Sequence, residues 1–398
     1  MNSMSAARRV TILGATGSVG LSTVAVVEEA IAQGEPLIVE AIAAGSDVEK
    51  LATLARRLKP KFVAIHDEAQ GPALKDALAG TGCAIGAGPE AVVEAAERPA
   101  DWVMAAIVGA AGLAPTLAAT SRGATIALAN KESLVCAGDL VTRTALEAGA
   151  TLVPVDSEHS AIFQVWEGPD RVEKVTLTAS GGPFREMSRA AMASVTPAQA
   201  VAHPTWPMGA KISVDCATMM NKGLELIEAM HLFSIEAERL DVIIHPQSII
   251  HSLVHYVDGS VLAQLGAPDM RTPIAYALAW PDRMEVSTPR LDLAKLKTLT
   301  FDAPDEERFP NLRLAREAAK AGGGHTAILN AANEVAVAAF LRGEIGFLQI
   351  GDINARVMEA TNGPPLASIA KSPSSLDEVR VIDQAVRHFT GDVLARMR

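Results

Sequence analysis

Asp156 and Glu158 stand one serine apart in "PVDSEHSAIF", directly after the apolar run "ATLVPV". The run reads as a buried strand, and in extended chain residues two apart point to the same side. On that reading the two carboxylates converge, and anions so close repel unless positive charge lies between them. A divalent cation meets the need, but a hard cation wants more oxygen ligands than two side chains supply. A third acid, Glu225, stands in "HPTWPMGAKISVDCATMMNKGLELIEA" (203–229), the segment densest in chemically capable groups. Its first half reads as an irregular loop, with Pro204, Pro207, Met208 and Gly209 around the large apolar ring of Trp206. Its second half reads as helix near 216–231, where Asn221 and Glu225 fall four apart on one face with Lys222 beside them. One helical turn rises about 5.4 Å, comparable to the distance from a phosphate to the mid-chain hydroxyls of a short sugar. Asn221 and Lys222 can then hold a phosphate while Glu225 reaches the ion. The other reading is a Lys222–Glu225 surface ion pair, worth little. "TASGGPFR" adds Ser180 and two glycines, which either grip an anion through hydroxyl and backbone N–H groups or simply turn the chain.

A second chemistry is carried by "TILGATGSVG", which sets Gly14, Gly17 and Gly20 between a strand and a helix. Such a turn lets backbone N–H groups approach a pyrophosphate at a helix N-terminus. The bland alternative is a tight turn that binds nothing. Apolar strands and helices go on alternating for the next hundred residues, and that favours a dinucleotide. The second strand ends "AIAAGSD", so Gly45, Ser46 and Asp47 fall where the ribose edge of an adenosine is expected. An acid there suits a free 2′-hydroxyl, whereas a 2′-phosphate wants Arg or Lys. Arg56, Arg57 and Lys59 follow but read as a solvated helix face, which leaves NAD against NADP open. In "ALANKESLV", Asn130, Lys131 and Glu132 follow another apolar strand, at the end that faces the crevice of a doubly wound sheet.

The elements that must position these groups divide the 398 residues into stretches. From 1 to 150, "RVTILGA", "IVEAIAAG", "FVAIH", "WVMAAIVG" and "TIALAN" alternate with Ala-rich helices, predicting a doubly wound, Rossmann-like parallel sheet. From 151 to 279 mixed strands and helix predict an α+β catalytic domain, with an antiparallel pair about Asp258-Gly259. Residues 280–310, with Pro281, Pro289, Pro304 and Pro310, read as a linker, and 311–398 as a helical bundle. No chemistry is assigned to His245, His251 or His255. The uncharged stretch 102–121 is long enough for a membrane span, but Gly109, Gly112 and Pro115 break it into strand, turn and helix. A net charge of -11 argues against a nucleic-acid partner. Three cysteines without a C-x-x-C pair fit a reducing cytoplasm, and the start of the chain leaves no room for a signal-peptide core.

Taken together, "GATGSVG", "ALANKESLV", "VDSEHSAIFQ", "SGGPFRE", the 203–229 segment, "HPQSIIHSLV" and the late "AANEVAVAAFL" resemble the 1-deoxy-D-xylulose 5-phosphate reductoisomerase family, in the family's order and across the chain. The resemblance implies an enzyme of the non-mevalonate isoprenoid route that uses NADPH and Mn²⁺ or Mg²⁺. It implies rearrangement and reduction of 1-deoxy-D-xylulose 5-phosphate to 2-C-methyl-D-erythritol 4-phosphate, by a cytoplasmic homodimer. By position it makes Asp156, Glu158 and Glu225 the metal ligands and puts Lys131 and Ser157 on the substrate beside them. Ser180, Asn221 and Lys222 would bind the phosphate, with His203 contacting it from the loop and Trp206 closing over the sugar. Thr16, Gly17, Ser18, Val19, Asn130, Glu132 and Gly209 would line the cofactor. Two positions depart from the pattern. Cys216 stands where the family usually has a phosphate-binding serine, and a thiol is the weaker donor. Ser46-Asp47 lacks the basic residue of some members. Of the rivals, a semialdehyde dehydrogenase needs an activated cysteine, and Cys136 lies in an apolar run. A nucleotide sensor without turnover needs neither the three acids nor the phosphate pocket.

Overall fold

The computed structural model describes residues 7–203, 206 and 208–397. Contacts divide the chain into two units, each with its own sheet. The first comprises Met1–Ser133, Val141–Ser160 and Asp269–Pro289; the second comprises Leu134–Leu140, Ala161–Pro268 and Arg290–Arg398.

In the first unit seven short strands form one parallel sheet. They are β1 (Arg8–Leu13), β2 (Leu37–Ala44), β3 (Phe62–Ile65), β4 (Ala84–Ala87), β5 (Trp102–Ala105), β6 (Thr125–Leu128) and β7 (Thr151–Pro154). Their order, β4-β3-β2-β1-β5-β6-β7, is doubly wound. Strands covered on both faces read as continuous apolar runs, and Val10, Ile12, Ile42, Val63, Met104 and Ile126 are wholly or almost wholly buried. The order reverses between β1 and β5, so the glycine turn after β1 lies at the switch point where such sheets bind ligands. β4 has no sequence signal, because four residues of "AIGA" are too short to show a period. "WVMAAIVG" is strand only to Ala105; a turn at Gly109 (φ 76°) then leads into helix Leu113–Thr120. No helix among the described residues is long and apolar enough to cross a membrane.

The second unit holds β8 (Val172–Ala179), β9 (Leu240–Ile244), β10 (Ile250–Tyr256) and β11 (Val261–Leu265), in the order β11-β10-β8-β9. β10 runs antiparallel to both neighbours and turns into β11 through Asp258 and Gly259, as the sequence predicts, while β8 and β9 are parallel. The C-terminal helices Pro310–Ala321, His325–Leu341, Phe347–Glu359 and Leu376–Met397 form the expected bundle. Helix Met220–Phe233 buries Met220, Leu224 and Ile227 against Leu314, Ala315, Ala318 and Leu329. Burial of each large aliphatic contributes about 1.5–3 kcal/mol. A Cβ on Gly223 would sit 2.4 Å from that of Ala315, so glycine sets how closely these helices pack.

The expected 216–231 helix is two helices, Ala210–Ala217 and Met220–Phe233, broken at Met219, which adopts a left-handed φ of 63°. Cys216 therefore lies in the last turn of the first helix, not at the start of the one that carries Asn221, Lys222 and Glu225.

Candidate active site

Gly14 and Gly20 are fixed by packing. A Cβ on Gly14 would lie 2.4 Å from the Ala106 carbonyl oxygen, and one on Gly20 would lie 2.1 Å from that of Gly14. Gly17 has no such constraint, since its nearest neighbour would be 3.4 Å away. It is the N-cap of helix Ser18–Ala32, exposed together with Ser18, while Thr16 and Val19 are half-buried. An open, side-chain-free helix start at a switch point suits a pyrophosphate. After β2, Gly45 and Ser46 are exposed. Asp47 does not present a free carboxylate to a ribose: it caps helix Val48–Leu58, accepting from the Lys50 backbone N–H at 3.0 Å. The cap and the Lys50 ammonium hold its carboxyl below the usual range.

β6 and β7 are parallel neighbours, with Leu128 opposite Pro154, so the residues that follow each strand meet. Lys131 Nζ lies 2.7 Å from Asp156 Oδ2. Burial would raise the Asp156 carboxyl, but Lys131, together with His159 and Glu158, holds it well below the ordinary range. The extended-chain argument for Asp156 and Glu158 fails, because the strand ends at Pro154. Asp156 precedes helix Ser157–Gln164, and Glu158 lies in its first turn. The two carboxylates still meet, with an oxygen of each within 4.8 Å of the other, by helix-start geometry: the Glu158 N–H points at Asp156 Oδ1, 3.4 Å away, and the Ser157 hydroxyl donates to Glu158 Oε2 at 2.5 Å. Carboxylate oxygens suit a hard divalent cation better than the softer ligands that select zinc or copper do. Asn130 caps helix Lys131–Ala148 and donates to the Ile107 and Gly109 carbonyls at 2.5 and 3.0 Å and to Glu132 Oε2 at 3.2 Å. Its amide thus shapes the loop after β5. Lys131 and Glu132 are both buried, unlike a solvated helix start.

In the second unit the surface-pair reading of Lys222 and Glu225 does not hold: they are 4% and 1% exposed. Glu225 accepts from Asn221 Nδ2 at 2.5 Å and from the Lys222 ammonium. A buried acid held by an amide and an ammonium is a costly arrangement, and such groups cluster at functional sites. The turn after β8 puts Gly181 and Gly182 at φ 79° and 69°. A Cβ on Gly182 would meet the Cys216 carbonyl oxygen at 2.7 Å, so the 216–217 backbone packs onto the turn that bears Ser180.

His203 joins this turn to the Trp206 loop. The Trp206 backbone N–H donates to Nδ1 at 3.0 Å, and Nε2 lies 2.9 Å from Ser180 Oγ. With Nδ1 accepting, the ring proton is on Nε2 and is donated to Ser180. The Gly182 N–H donates to the same oxygen at 3.2 Å, which leaves the Ser180 hydroxyl proton to point elsewhere. Burial pushes the His203 pKa down, in keeping with a neutral ring. Pro204 and Pro207, expected to bound the loop, lie outside the described residues. Gly209 is exposed at the N-cap of helix Ala210–Ala217.

Sequence reasoning passed over His251, which is buried with its ring centroid 6.3 Å from that of Trp206. An isolated histidine on a strand carries no signal of such a neighbour. His245 is structural: Nδ1 is 2.9 Å from the Thr300 carbonyl and Nε2 accepts from the Ile249 and Ile250 N–H groups at 3.2 Å each. Cys136 is buried, 3.4 Å from the Asn330 amide nitrogen.

Comparison with known proteins adds three matching family profiles. "1-Deoxy-D-xylulose 5-phosphate reductoisomerase" covers residues 10–138, its "C-terminal domain" covers 152–233, and "DXP reductoisomerase C-terminal domain" covers 265–389. The 1-deoxy-D-xylulose 5-phosphate reductoisomerase of Rhodospirillum centenum is 59% identical over 98% of this chain and 95% of its own length. That of Caulobacter vibrioides is 56% identical over 100% and 99%. The solved Zymomonas mobilis enzyme in complex with NADPH aligns at a TM-score of 0.90, 51% identical over 97% of this chain and 99% of that one. A DOX-P reductoisomerase in complex with NADPH, fosmidomycin and magnesium aligns at 0.93, 42% identical over 98% and 99%.

Proposed function

Since the chain belongs to the 1-deoxy-D-xylulose 5-phosphate reductoisomerase family, we propose a division of labour among its residues in that family's reaction. The enzyme is an NADPH- and divalent-metal-dependent oxidoreductase and isomerase that converts 1-deoxy-D-xylulose 5-phosphate to 2-C-methyl-D-erythritol 4-phosphate. When bound, the cation supplies Lewis acidity and NADPH supplies the hydride. Asp156, Glu158 and Glu225 hold the cation. What supports this is the depressed pKa of Asp156, which keeps it anionic, and the burial of Glu225 beside an ammonium. Lys131 holds Asp156 in place and lies beside the substrate with Ser157. Thr16, Gly17, Ser18 and Val19 take the pyrophosphate side of the cofactor, Gly45 and Ser46 its adenosine ribose with Asp47 capping the helix beside them, and Asn130, Glu132 and Gly209 line the remainder.

The single observation that carries the phosphate pocket is the hydrogen-bond order at Ser180. Its oxygen accepts twice, from His203 and Gly182, so its proton is free to be donated to a phosphate oxygen. His203 orients that hydroxyl and ties it to the Trp206 loop, which shields the sugar from water. Lys222 and Asn221 supply the remaining donors, with Cys216 where a hydroxyl is usual. Homodimer assembly in the cytoplasm completes the proposal. Its support is that β11 is an edge strand with Val261, Leu262 and Leu265 36–47% exposed, a surface natural proteins usually cover. The test is Mn²⁺ titration followed by electron paramagnetic resonance. Asp156→Asn, Glu158→Gln and Glu225→Gln should each weaken binding about tenfold or more; wild-type affinity in any one removes that residue from the ligand set.

A further inference from the structure

The turn after β2 raises a problem of charge. NADPH differs from NADH by a 2′-phosphate on the adenosine ribose, and in a doubly wound sheet that ribose edge meets the carboxyl end of the second strand. Here the strand runs into Gly45, Ser46 and Asp47, with no cation among them. The cations that follow in sequence are Lys50, Arg56, Arg57 and Lys59. Three of them are committed away from the turn. Arg57 grips Glu28 at 3.0 and 2.5 Å, Arg56 donates to the Ala77 carbonyl at 2.5 Å, and Lys59 is the C-cap at the far end of the helix. Lys50 lies in the first turn, and helical side chains lean toward the N-terminus. Its Nζ accordingly lies over the turn, 3.2 Å from Asp47 Oδ2, on a side chain 64% exposed.

We propose that Lys50 is the cofactor-specificity residue of this chain, swinging from Asp47 to the 2′-phosphate of NADPH. It does from the first turn of the helix what a basic residue in the 45–47 turn would do. Asp47 remains the helix cap: its Oδ1 holds the Lys50 backbone N–H, a bond that does not depend on where the ammonium points. The anionic Asp47 stays near the incoming phosphate and opposes it, so the preference for NADPH is narrower than a turn with its own arginine would give. Ser46, exposed beside it, is placed to donate a hydroxyl to the same group.

The inference rests on cofactor binding at the β1 turn, so the experiment reads binding and not turnover. Dissociation constants for NADPH and NADH are measured by nucleotide fluorescence on the full-length protein. Adenosine 2′,5′-bisphosphate and 5′-AMP serve as competing fragments. Lys50→Met should weaken NADPH and the bisphosphate about tenfold while leaving NADH and 5′-AMP unchanged. Lys50→Arg should retain the wild-type ratio, and Asp47→Asn should widen it. An equal loss for both nucleotides would mean that Lys50 matters only to the helix. An unchanged NADPH constant in Lys50→Met overturns the assignment. Absence of binding of either nucleotide to the wild type would instead remove the cofactor site itself.

Discussion

Lys222 and Glu225 offer the sharpest test of how the phosphate-binding helix is held. Both are buried, their charges touch, and Asn221 supplies Glu225 with a second donor. Replacing Glu225 by Gln takes from the buried Lys222 ammonium the carboxylate it touches, and replacing Lys222 by Met takes the ammonium from the buried carboxylate. Breaking one member of a buried pair costs about 3–5 kcal/mol. Asn221 remains as a partner for Glu225, so Lys222→Met should cost less than that, about 2–3 kcal/mol. The double variant removes both charges and should cost no more than the worse single change, giving a coupling of about 2–3 kcal/mol. Native-state hydrogen exchange of helix Met220–Phe233, without metal or phosphate, reads the local opening free energy and requires no two-state unfolding of the two-unit chain. Additive costs, to within about 0.5 kcal/mol, would show that the two charges do not pair in solution and would refute the argument.

Cys216→Ser should lower the Michaelis constant for the sugar phosphate with little change for NADPH, because a hydroxyl donates better than a thiol to a charged acceptor; identical substrate dependence places the side chain outside the pocket. His203 has its pKa depressed by burial, so the protonation that takes Nδ1 from the Trp206 N–H should be centred below the ordinary imidazole value of 6.5. The Trp206 contribution to fluorescence, taken as the difference from Trp206→Phe without substrate, should show its transition below that value, and a transition centred at the ordinary value or above it would contradict the assignment.

The doubly wound sheet was legible because its strands are covered on both faces, and "TILGATGSVG" marks its switch point. The acids of the site were legible as residue types, but the reason they converge was not. Periodicity extends a strand through Asp156, whereas the chain turns into a helix one residue after it. The Lys131–Asp156 pair is invisible to spacing, since only the β6–β7 register brings two loops 25 residues apart together. Asp47 was readable with a different question: an acid at the start of an amphipathic helix, three residues before its bonded N–H, is a cap before it is a ribose ligand. The break at Met219 has no such signal, because a methionine has no preference of its own for the left-handed backbone it adopts there.

This chain performs a metal-dependent reduction of a rearranged sugar phosphate, and we propose Asp156 as one of the metal's ligands. The measurement that meets both most directly is loss of NADPH absorbance on adding 1-deoxy-D-xylulose 5-phosphate, with product identified by mass spectrometry, for wild type and Asp156→Asn, with chelator and after Mn²⁺ is restored. Turnover that chelator abolishes and Mn²⁺ restores in the wild type, and that Asp156→Asn lowers by about a hundredfold or more at limiting Mn²⁺, is the predicted result. Turnover indifferent to chelator, or an Asp156→Asn variant as fast as wild type at limiting Mn²⁺, would contradict it.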